Sequence, residues 1–172
     1  YPKGAIVNYG IGQGEISVTP LQLACYVATI ANGGIYYRPH LVRAIKNSLL
    51  NQLSFLEVDH RNLNLNPKIV EIVKNGMFDV VNVPGGTAFG IRINNLDICG
   101  KTGTAQNPGG QDHSWFICFA PKDSPRIAMA VLVENAGFGA AVAAPIAGEL
   151  LKTFFNVQEL TIPIDSTKFF GD

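Results

Sequence analysis

The second half of the chain contains three strand-like runs that are separated by turns of only a few residues. These runs cover residues 96–106, 114–120 and 126–134, and proline and glycine occupy the turns between them. Consecutive strands joined by such short turns pair antiparallel, because a parallel pair needs a long crossover connection. The third run is apolar on both faces, so we expect helices on both sides of this sheet.

A buried helix is predicted in the first half of the chain. Thr19 is a suitable N-cap, Pro20 suits the first helical position, and Gln22 completes a capping box. Residues 21–31 are apolar nearly all round, which indicates deep burial. The Asn-Gly-Gly sequence at 32–34 ends the helix, since glycine accepts the left-handed backbone of a C-terminal cap.

Two further helices are predicted from apolar residues at helical spacing. One begins after the N-cap Asn66 with Pro67 in its first turn, and the other covers residues 145–155. Their predicted buried positions are Ile69, Ile72, Val73 and Met77 in the first, and Ala147, Leu150, Leu151 and Phe154 in the second.

The remaining segments predict shorter elements. Residues 5–9 predict a strand, residues 35–39 and 41–45 predict extended segments, and the mainly polar residues 47–66 predict a surface excursion. The predicted fold class is therefore α+β, with helices packed on an antiparallel sheet of at least three strands.

Composition and charge exclude several classes of protein. The 172 residues are 47% hydrophobic and 15% charged, so the chain is long and apolar enough to fold and is not disordered. Its 13 basic and 13 acidic residues form no charged block, so we expect no binding to nucleic acid. No run approaches the roughly 20 apolar residues of a membrane span.

The residue types that bind metals do not form a recognisable pattern. Cys25, Cys99 and Cys118 lie in apolar runs without a Cys-x-x-Cys pair, which favours buried free thiols. His40 and His60 lack metal-ligand spacing. We therefore expect neither a metal nor a cofactor.

The strongest chemical signal is the sequence Gly-Lys-Thr-Gly-Thr at residues 100–104, on the first predicted strand. Glycine within a strand often marks the close approach of another backbone. A bare strand edge with a fixed positive charge suits an extended peptide that ends in a carboxylate, which Lys101 and the threonine hydroxyls would receive. A solvated lysine that protects an edge strand from aggregation is the alternative.

Two nucleotide-binding interpretations of the glycine-rich segments fail. A phosphate-binding P-loop ending at residues 100–102 requires a glycine where Asn95 stands, and a helix where residues 103–110 cannot start one. The glycines of residues 10–14 are too far from Pro20 and wrongly spaced for a dinucleotide loop. They indicate a tight turn instead.

Several spaced segments together resemble the class B penicillin-binding proteins. Residues 10–24 with 30–34 resemble the buried-helix region of that family, residues 99–106 its third active-site motif, and residues 113–121 the strand that follows. Residues 133–135 and 143–147 favour the elongation type, penicillin-binding protein 2, over the septal type. The similarity extends over nearly the whole chain apart from residues 47–66.

The resemblance implies a fold of the serine β-lactamase and transpeptidase type. It also implies a D,D-transpeptidase that cross-links peptidoglycan stem peptides through a serine acyl-enzyme and is acylated by β-lactams. In that comparison Lys101 is the electrostatic anchor, and Thr102, Gly103 and Thr104 bind the substrate, with both threonines contacting its terminal carboxylate. The backbone N–H of Thr104 supplies half of the oxyanion hole.

The chain departs from the family pattern in lacking the nucleophile. None of its serines has a lysine three positions later or an asparagine two positions later. They are Ser17, Ser48, Ser54, Ser114, Ser124 and Ser166. In the family, both missing motifs precede the segment that begins here. The opening Tyr1, without an initiating Met, likewise predicts a piece of a longer protein. We therefore expect residues 1–172 to be the C-terminal part of a transpeptidase domain and to be inactive alone.

The same resemblance predicts partners and a location. The strand at 126–134 pairs in the family with an N-terminal strand, so we expect an exposed apolar edge here that a complementary chain or another copy must cover. Elongation-complex proteins are possible further partners. The implied location is the outer face of the bacterial cytoplasmic membrane, anchored by a segment absent from this chain.

Two other functions remain open at this stage. One is a D,D-carboxypeptidase or serine β-lactamase relative, against which the buried-helix segment argues. The other is a non-catalytic peptide-binding module that uses the same strand edge. Asp112 and His113, at the start of a strand, favour a structural loop-end pair over a catalytic one.

Overall fold

The computed structural model describes residues 3–14 and 16–157, and for residues 3–5 it describes the backbone alone. Tyr1, Ser166 and the rest of the segment after residue 157 lie outside the described residues. The elements are α1 Lys3–Gly10, α2 Pro20–Ala31, β1 Ile35–Tyr37, β2 Ala44–Asn47, β3 Gln52–Phe55, β4 His60–Asn62, α3 Pro67–Asn82, a 3-10 turn Phe89–Ile91, β5 Cys99–Ala105, β6 His113–Ala120, β7 Ile127–Val133 and α4 Ala143–Phe155.

The predicted three-stranded antiparallel sheet is confirmed, with strand order β5-β6-β7. Gly103 lies opposite Trp115, which in turn lies opposite Leu132. In this register Lys101 and Ile117 share one face of the sheet, because directly opposite residues of an antiparallel pair point the same way. Strand β5 is an edge strand within the part of the chain that the structure describes.

Helices cover both faces of the sheet, as predicted. On one face, α2 and α3 contribute to a buried cluster whose members are Val27, Ile30, Ala31, Met77, Cys99 and Phe119. On the other face, α4 packs on β6 and β7, and the buried residues there include Phe116, Cys118, Ala143, Ala147 and Leu151. The α+β architecture therefore has a layer of helix on each side of one sheet.

The predicted starts of α2 and α3 are confirmed by their caps, whereas α4 begins at Ala143, two residues earlier than predicted and without a side-chain cap. The Thr19 hydroxyl accepts from the backbone N–H of Gln22 at 3.2 Å, and the Gln22 side chain accepts from the N–H of Thr19 at 2.8 Å, which is a complete capping box. The side-chain oxygen of Asn66 accepts from the N–H of Lys68 at 3.0 Å. Helix α2 ends at the expected Asn32 cap.

Two predictions about local structure were wrong, and a third was confirmed only in part. Residues 5–9 lie within helix α1 and not in a strand, because periodicity cannot assign so short an apolar run. Helix α2 is fully buried only at Val27 and at residues 29–31, since Leu21 and Tyr26 are more than half exposed. The extended segment at 41–45 becomes a strand only from Ala44, which begins the exposed hairpin of β2 and β3.

The predicted buried faces of α3 and α4 were also largely wrong. Met77 is buried in α3, but the other buried residues are Val70 and Val81, while Ile69, Ile72 and Val73 are exposed. In α4, Ala147 and Leu151 are buried as predicted, whereas Leu150 and Phe154 are 51% and 43% exposed. Each helix has apolar residues on two sides, and the described structure covers one of them.

Two smaller features complete the fold. Residues 47–66 lie on the surface as predicted, where β4 pairs with β1 and β3 with β2. Among the described helices, none is both long and apolar enough to cross a bilayer.

Candidate functional site

The candidate site is the outer edge of β5. The carbonyl oxygen of Thr102 accepts from Lys101 Nζ at 2.6 Å, and that of Thr104 accepts from the side chain of Gln13 at 2.8 Å. Both carbonyls therefore interact with groups outside the sheet, whereas the backbone of Gly103 between them faces β6. Thr102 and Thr104 thus present their backbone N–H and C=O groups along an edge that no described strand covers.

Lys101 places a positive charge at this edge. Its side chain is exposed and lies on the sheet face that α2 covers, beside its cross-strand neighbour Ile117. No carboxylate of the described residues lies within salt-bridge distance of its ammonium group. The charge is therefore available to an anionic ligand.

The two threonines point to the opposite face. The hydroxyl of Thr102 lies 3.0 Å from the hydroxyl of Thr87, which belongs to the segment between α3 and β5. The side chains of Thr102 and Thr104 are half-buried. Thr87 was not predicted as a site residue, because its segment carries only a turn signal in the sequence.

The glycines of the motif make space for different neighbours. A Cβ on Gly103 would lie 3.2 Å from the Cβ of Trp115, and one on Gly100 would overlap the ring of Phe116. Gly139 packs on Gly103 from the loop that follows β7, and a Cβ there would overlap the carbonyl oxygens of Gly103 and Trp115. Close backbone approach, predicted for both motif glycines, therefore occurs at Gly103, while Gly100 accommodates a side chain.

Asp112 and His113 have the structural role that the sequence favoured. The N–H of Asn135 donates to Nδ1 of His113 at 3.0 Å, and the N–H of Asn107 donates to Asp112 at 3.2 Å. The side chains of Asn107 and Asn135 are joined at 2.7 Å. These bonds tie the β5–β6 turn to the loop after β7, beside the end of the candidate site.

Ser114 anchors the same loop from inside. Its fully buried hydroxyl donates to the carbonyl of Phe138 at 3.0 Å and accepts from the N–H of Ala143 at 3.0 Å. The loop that carries Gly139 is thereby held on the sheet, immediately before α4.

The buried cysteines are not candidates for a nucleophile. Cys99 and Cys118 are free thiols without solvent exposure, as predicted. Burial raises the pKa of each thiol to about 12, so both are protonated at neutral pH. Cys25, also predicted to be buried, is half-exposed.

A cavity of about 630 Å³ lies behind the site, between residues 87–94 and α4. Thr87 belongs both to its wall and to the candidate site, but Lys101 and Thr104 do not line it. The cavity therefore neighbours the strand edge without containing its charge.

Comparisons with known proteins agree on one family. Residues 2–152 match the model of the penicillin binding protein transpeptidase domain. The chain is 34% identical to the peptidoglycan D,D-transpeptidase MrdA of Haemophilus influenzae, and the match covers 96% of this chain and 29% of that protein. It is 37% identical to the peptidoglycan D,D-transpeptidase PbpA of Mycolicibacterium smegmatis over 79% of this chain and 29% of that protein.

Solved structures show the same similarity. PBP2 of Pseudomonas aeruginosa in complex with WCK 5153 superimposes with a TM-score of 0.77 at 34% identity, over 92% of this chain and 34% of that one. The imipenem acyl-enzyme complex of penicillin-binding protein A from M. tuberculosis gives 0.72 at 36% identity, over 86% and 34%. The chain thus spans about a third or less of the relatives it matches.

Proposed function

Because this chain belongs to the penicillin-binding protein transpeptidase family, with class B proteins of the PBP2 type among its relatives, we propose that it forms the Lys-Thr-Gly side of a peptidoglycan D,D-transpeptidase active site. The outer edge of β5, which no described strand covers and beside which Lys101 lies, is the observation that carries the proposal. An extended peptide can add to such an edge through main-chain hydrogen bonds.

In this proposal each residue of the motif has a separate role. The exposed ammonium of Lys101 attracts the terminal carboxylate of a stem peptide or the carboxylate of a β-lactam. The hydroxyls of Thr102 and Thr104 bind that carboxylate, and Gly103 lets the ligand approach the backbone. The outward N–H of Thr104 stabilises the oxyanion that forms during acyl transfer.

The nucleophile must come from another segment. The chain contains neither a Ser-x-x-Lys nor a Ser-x-Asn sequence, so residues 1–172 act as the C-terminal part of a domain whose remainder supplies the serine. The serine Oγ would attack the carbonyl carbon of the penultimate D-alanine, release the terminal D-alanine and form an ester. A second stem peptide's amine would then displace the serine.

The wider context follows from the same proposal. The substrates are peptidoglycan stem peptides, the inhibitors are β-lactams, and the first partner is the complementary N-terminal part of the domain. Elongation-complex proteins are further partners in this proposal. The protein would work on the outer face of the cytoplasmic membrane, held there by an anchor in another segment.

Labelling with a fluorescent penicillin tests the function. The chain alone should remain unlabelled, and the intact protein should be labelled on the serine-bearing segment. A non-catalytic peptide-binding module would give no label in either sample. Rapid loss of the label with hydrolysed product would indicate a β-lactamase instead, and covalent label on the isolated chain would refute the proposed division of the site.

A further inference from the structure

The end of the β5 edge is occupied by a side chain from a distant part of the sequence. Gln13, in the turn between α1 and α2, donates from Nε2 to the carbonyl of Thr104 at 2.8 Å. Its Oε1 accepts from the N–H of Gln106 at 3.4 Å. One amide group therefore bridges Thr104, near the end of β5, and Gln106, which follows the strand.

This arrangement has the pattern of strand pairing. In parallel pairing, one residue of an added strand donates its N–H to the C=O of residue i and accepts at its own C=O from the N–H of residue i+2, and these are the two kinds of group that Gln13 contacts. The glycine-rich turn makes the approach possible, since Gly12 and Gly14 have positive φ angles of 75° and 108°. The side-chain amide of Gln13 thus stands where a backbone amide of an extended ligand would pair.

A ligand that pairs with Thr104 has to compete for this position. Thr104 directs its C=O outward beside its N–H, and Nε2 of Gln13 already donates to that oxygen. A ligand amide N–H aimed at the same oxygen must displace the glutamine. A ligand that uses the N–H of Thr104 alone leaves the glutamine in place.

We propose that Gln13 is a placeholder, a side chain that occupies the C=O of Thr104 until an incoming peptide displaces it. Gln13 thereby distinguishes acyl donors that carry an amide N–H able to pair with this oxygen from acyl donors that lack one. This inference rests on the proposed function and adds a specificity-determining residue to it. Gln13 is half-exposed, so the displaced side chain has solvent to turn into.

The test compares two β-lactams on the intact protein. Benzylpenicillin carries an acylamino N–H beside its ring, and penicillanic acid has no such group. Gln13→Met keeps the length of the side chain and removes both hydrogen bonds. We expect it to raise the second-order acylation rate constant for benzylpenicillin roughly two- to tenfold, the range of one exposed hydrogen bond, and to leave that for penicillanic acid unchanged.

Gln52→Met is the matched control, because Gln52 lies on the exposed β3 strand away from the β5 edge. It should change neither rate constant. As a second readout, the Nε2 resonances of Gln13 in labelled wild-type protein should shift on acylation by benzylpenicillin and stay in place with penicillanic acid. This measurement does not depend on how the variant folds.

The remaining outcomes would overturn the inference. Equal changes with both β-lactams, in either direction, would make Gln13 a residue that positions β5 and not a placeholder. If Gln13→Met leaves the acylation rate constants of both β-lactams unchanged, Gln13 has no role in the site. No acylation of the wild-type protein by either compound would refute the proposed function itself, and the inference with it.

Discussion

At the scale of single residues, Lys101 gives the sharpest test of the site. Its side chain is exposed and forms no salt bridge with the described residues, so its removal should affect ligand binding more than folding. We expect Lys101→Ala to lower the acylation efficiency of the intact protein by about 10²–10³, the range for loss of one preorganised electrostatic group. Lys46→Ala on exposed β2 should have no effect. Equal effects of the two substitutions on acylation would contradict the assignment.

Gly139 should be intolerant of any side chain, for a reason the sequence does not show. A Cβ there overlaps the carbonyl oxygens of Gly103 and Trp115, which are backbone atoms that cannot rotate away. We expect Gly139→Ala to destabilise the protein by about 1–3 kcal/mol through overpacking. Gly76→Ala, in an open position on α3, should stabilise it by about 0.5–1 kcal/mol. Chemical denaturation of both variants measures the difference, and equal midpoints would contradict the packing argument.

The cysteines should separate into two classes by their reactivity toward thiol reagents. At neutral pH a thiol reagent should react with half-exposed Cys25 and, only after denaturation, with Cys99 and Cys118.

Burial raises the pKa of Cys118 from 9.0 to about 12, so the unfolded chain releases this proton first as the pH rises. The contribution of this protonated thiol to the free energy of unfolding should therefore be fully present below pH 9 and be lost between pH 9 and about 12. In Cys118→Ala the free energy of unfolding, measured by chemical denaturation, should decrease less steeply over this pH range than in the wild type. An equal slope in both proteins would contradict this explanation.

At the scale of elements, the loop between β7 and α4 depends on one buried hydroxyl. Ser114 satisfies both the carbonyl of Phe138 and the N–H of Ala143. Ser114→Ala would leave both groups without that partner, which should cost about 1–3 kcal/mol of stability. Hydrogen exchange should show faster exchange at Ala143 in the variant, while the Thr19 cap of α2 keeps its wild-type rate. Unchanged protection at Ala143 would mean that the loop is held by other contacts.

Elements could be predicted from the sequence where local chemistry defines them. Proline and glycine turns delimit β5, β6 and β7, and cap residues mark the starts of α2 and α3. The buried faces of the helices could not be predicted in the same way. In α3, helical spacing is satisfied equally by the exposed Ile69–Ile72–Val73 side and by the buried side, and only the neighbours decide between them.

The candidate site could be predicted from the sequence only where its residues are adjacent in the chain. Lys101 and its flanking residues form a contiguous motif, so a pattern in the sequence identifies them. Gln13, Thr87 and Gly139 reach the motif only through folding, and Gln13 lies 91 residues from Thr104. Neither spacing nor residue type signals such contacts, because they depend on how the turn, the loop and the sheet edge come together.

At the scale of the whole molecule, the described structure leaves much apolar surface without cover. Ile69 and Ile72 on α3 are 57% and 66% exposed, as are Leu21 and Tyr26 on α2 at 59% and 57%. Strand β7 forms the other edge of the sheet within the described residues. Apolar patches and open strand edges of this kind mark contact surfaces for another chain or segment.

We therefore expect the isolated chain to associate with itself, and to stop doing so when the complementary part of the domain is added. On size exclusion it should elute above its monomer mass of 18.5 kDa, and the mixture should give a one-to-one complex. Ile72→Lys should weaken both associations, because it places a charge within the apolar face of α3. Leu49→Lys, at a residue 96% exposed between β2 and β3, is the control. A monodisperse monomer of the isolated chain that melts cooperatively would show that these surfaces need no cover, and would remove the structural basis for a divided domain.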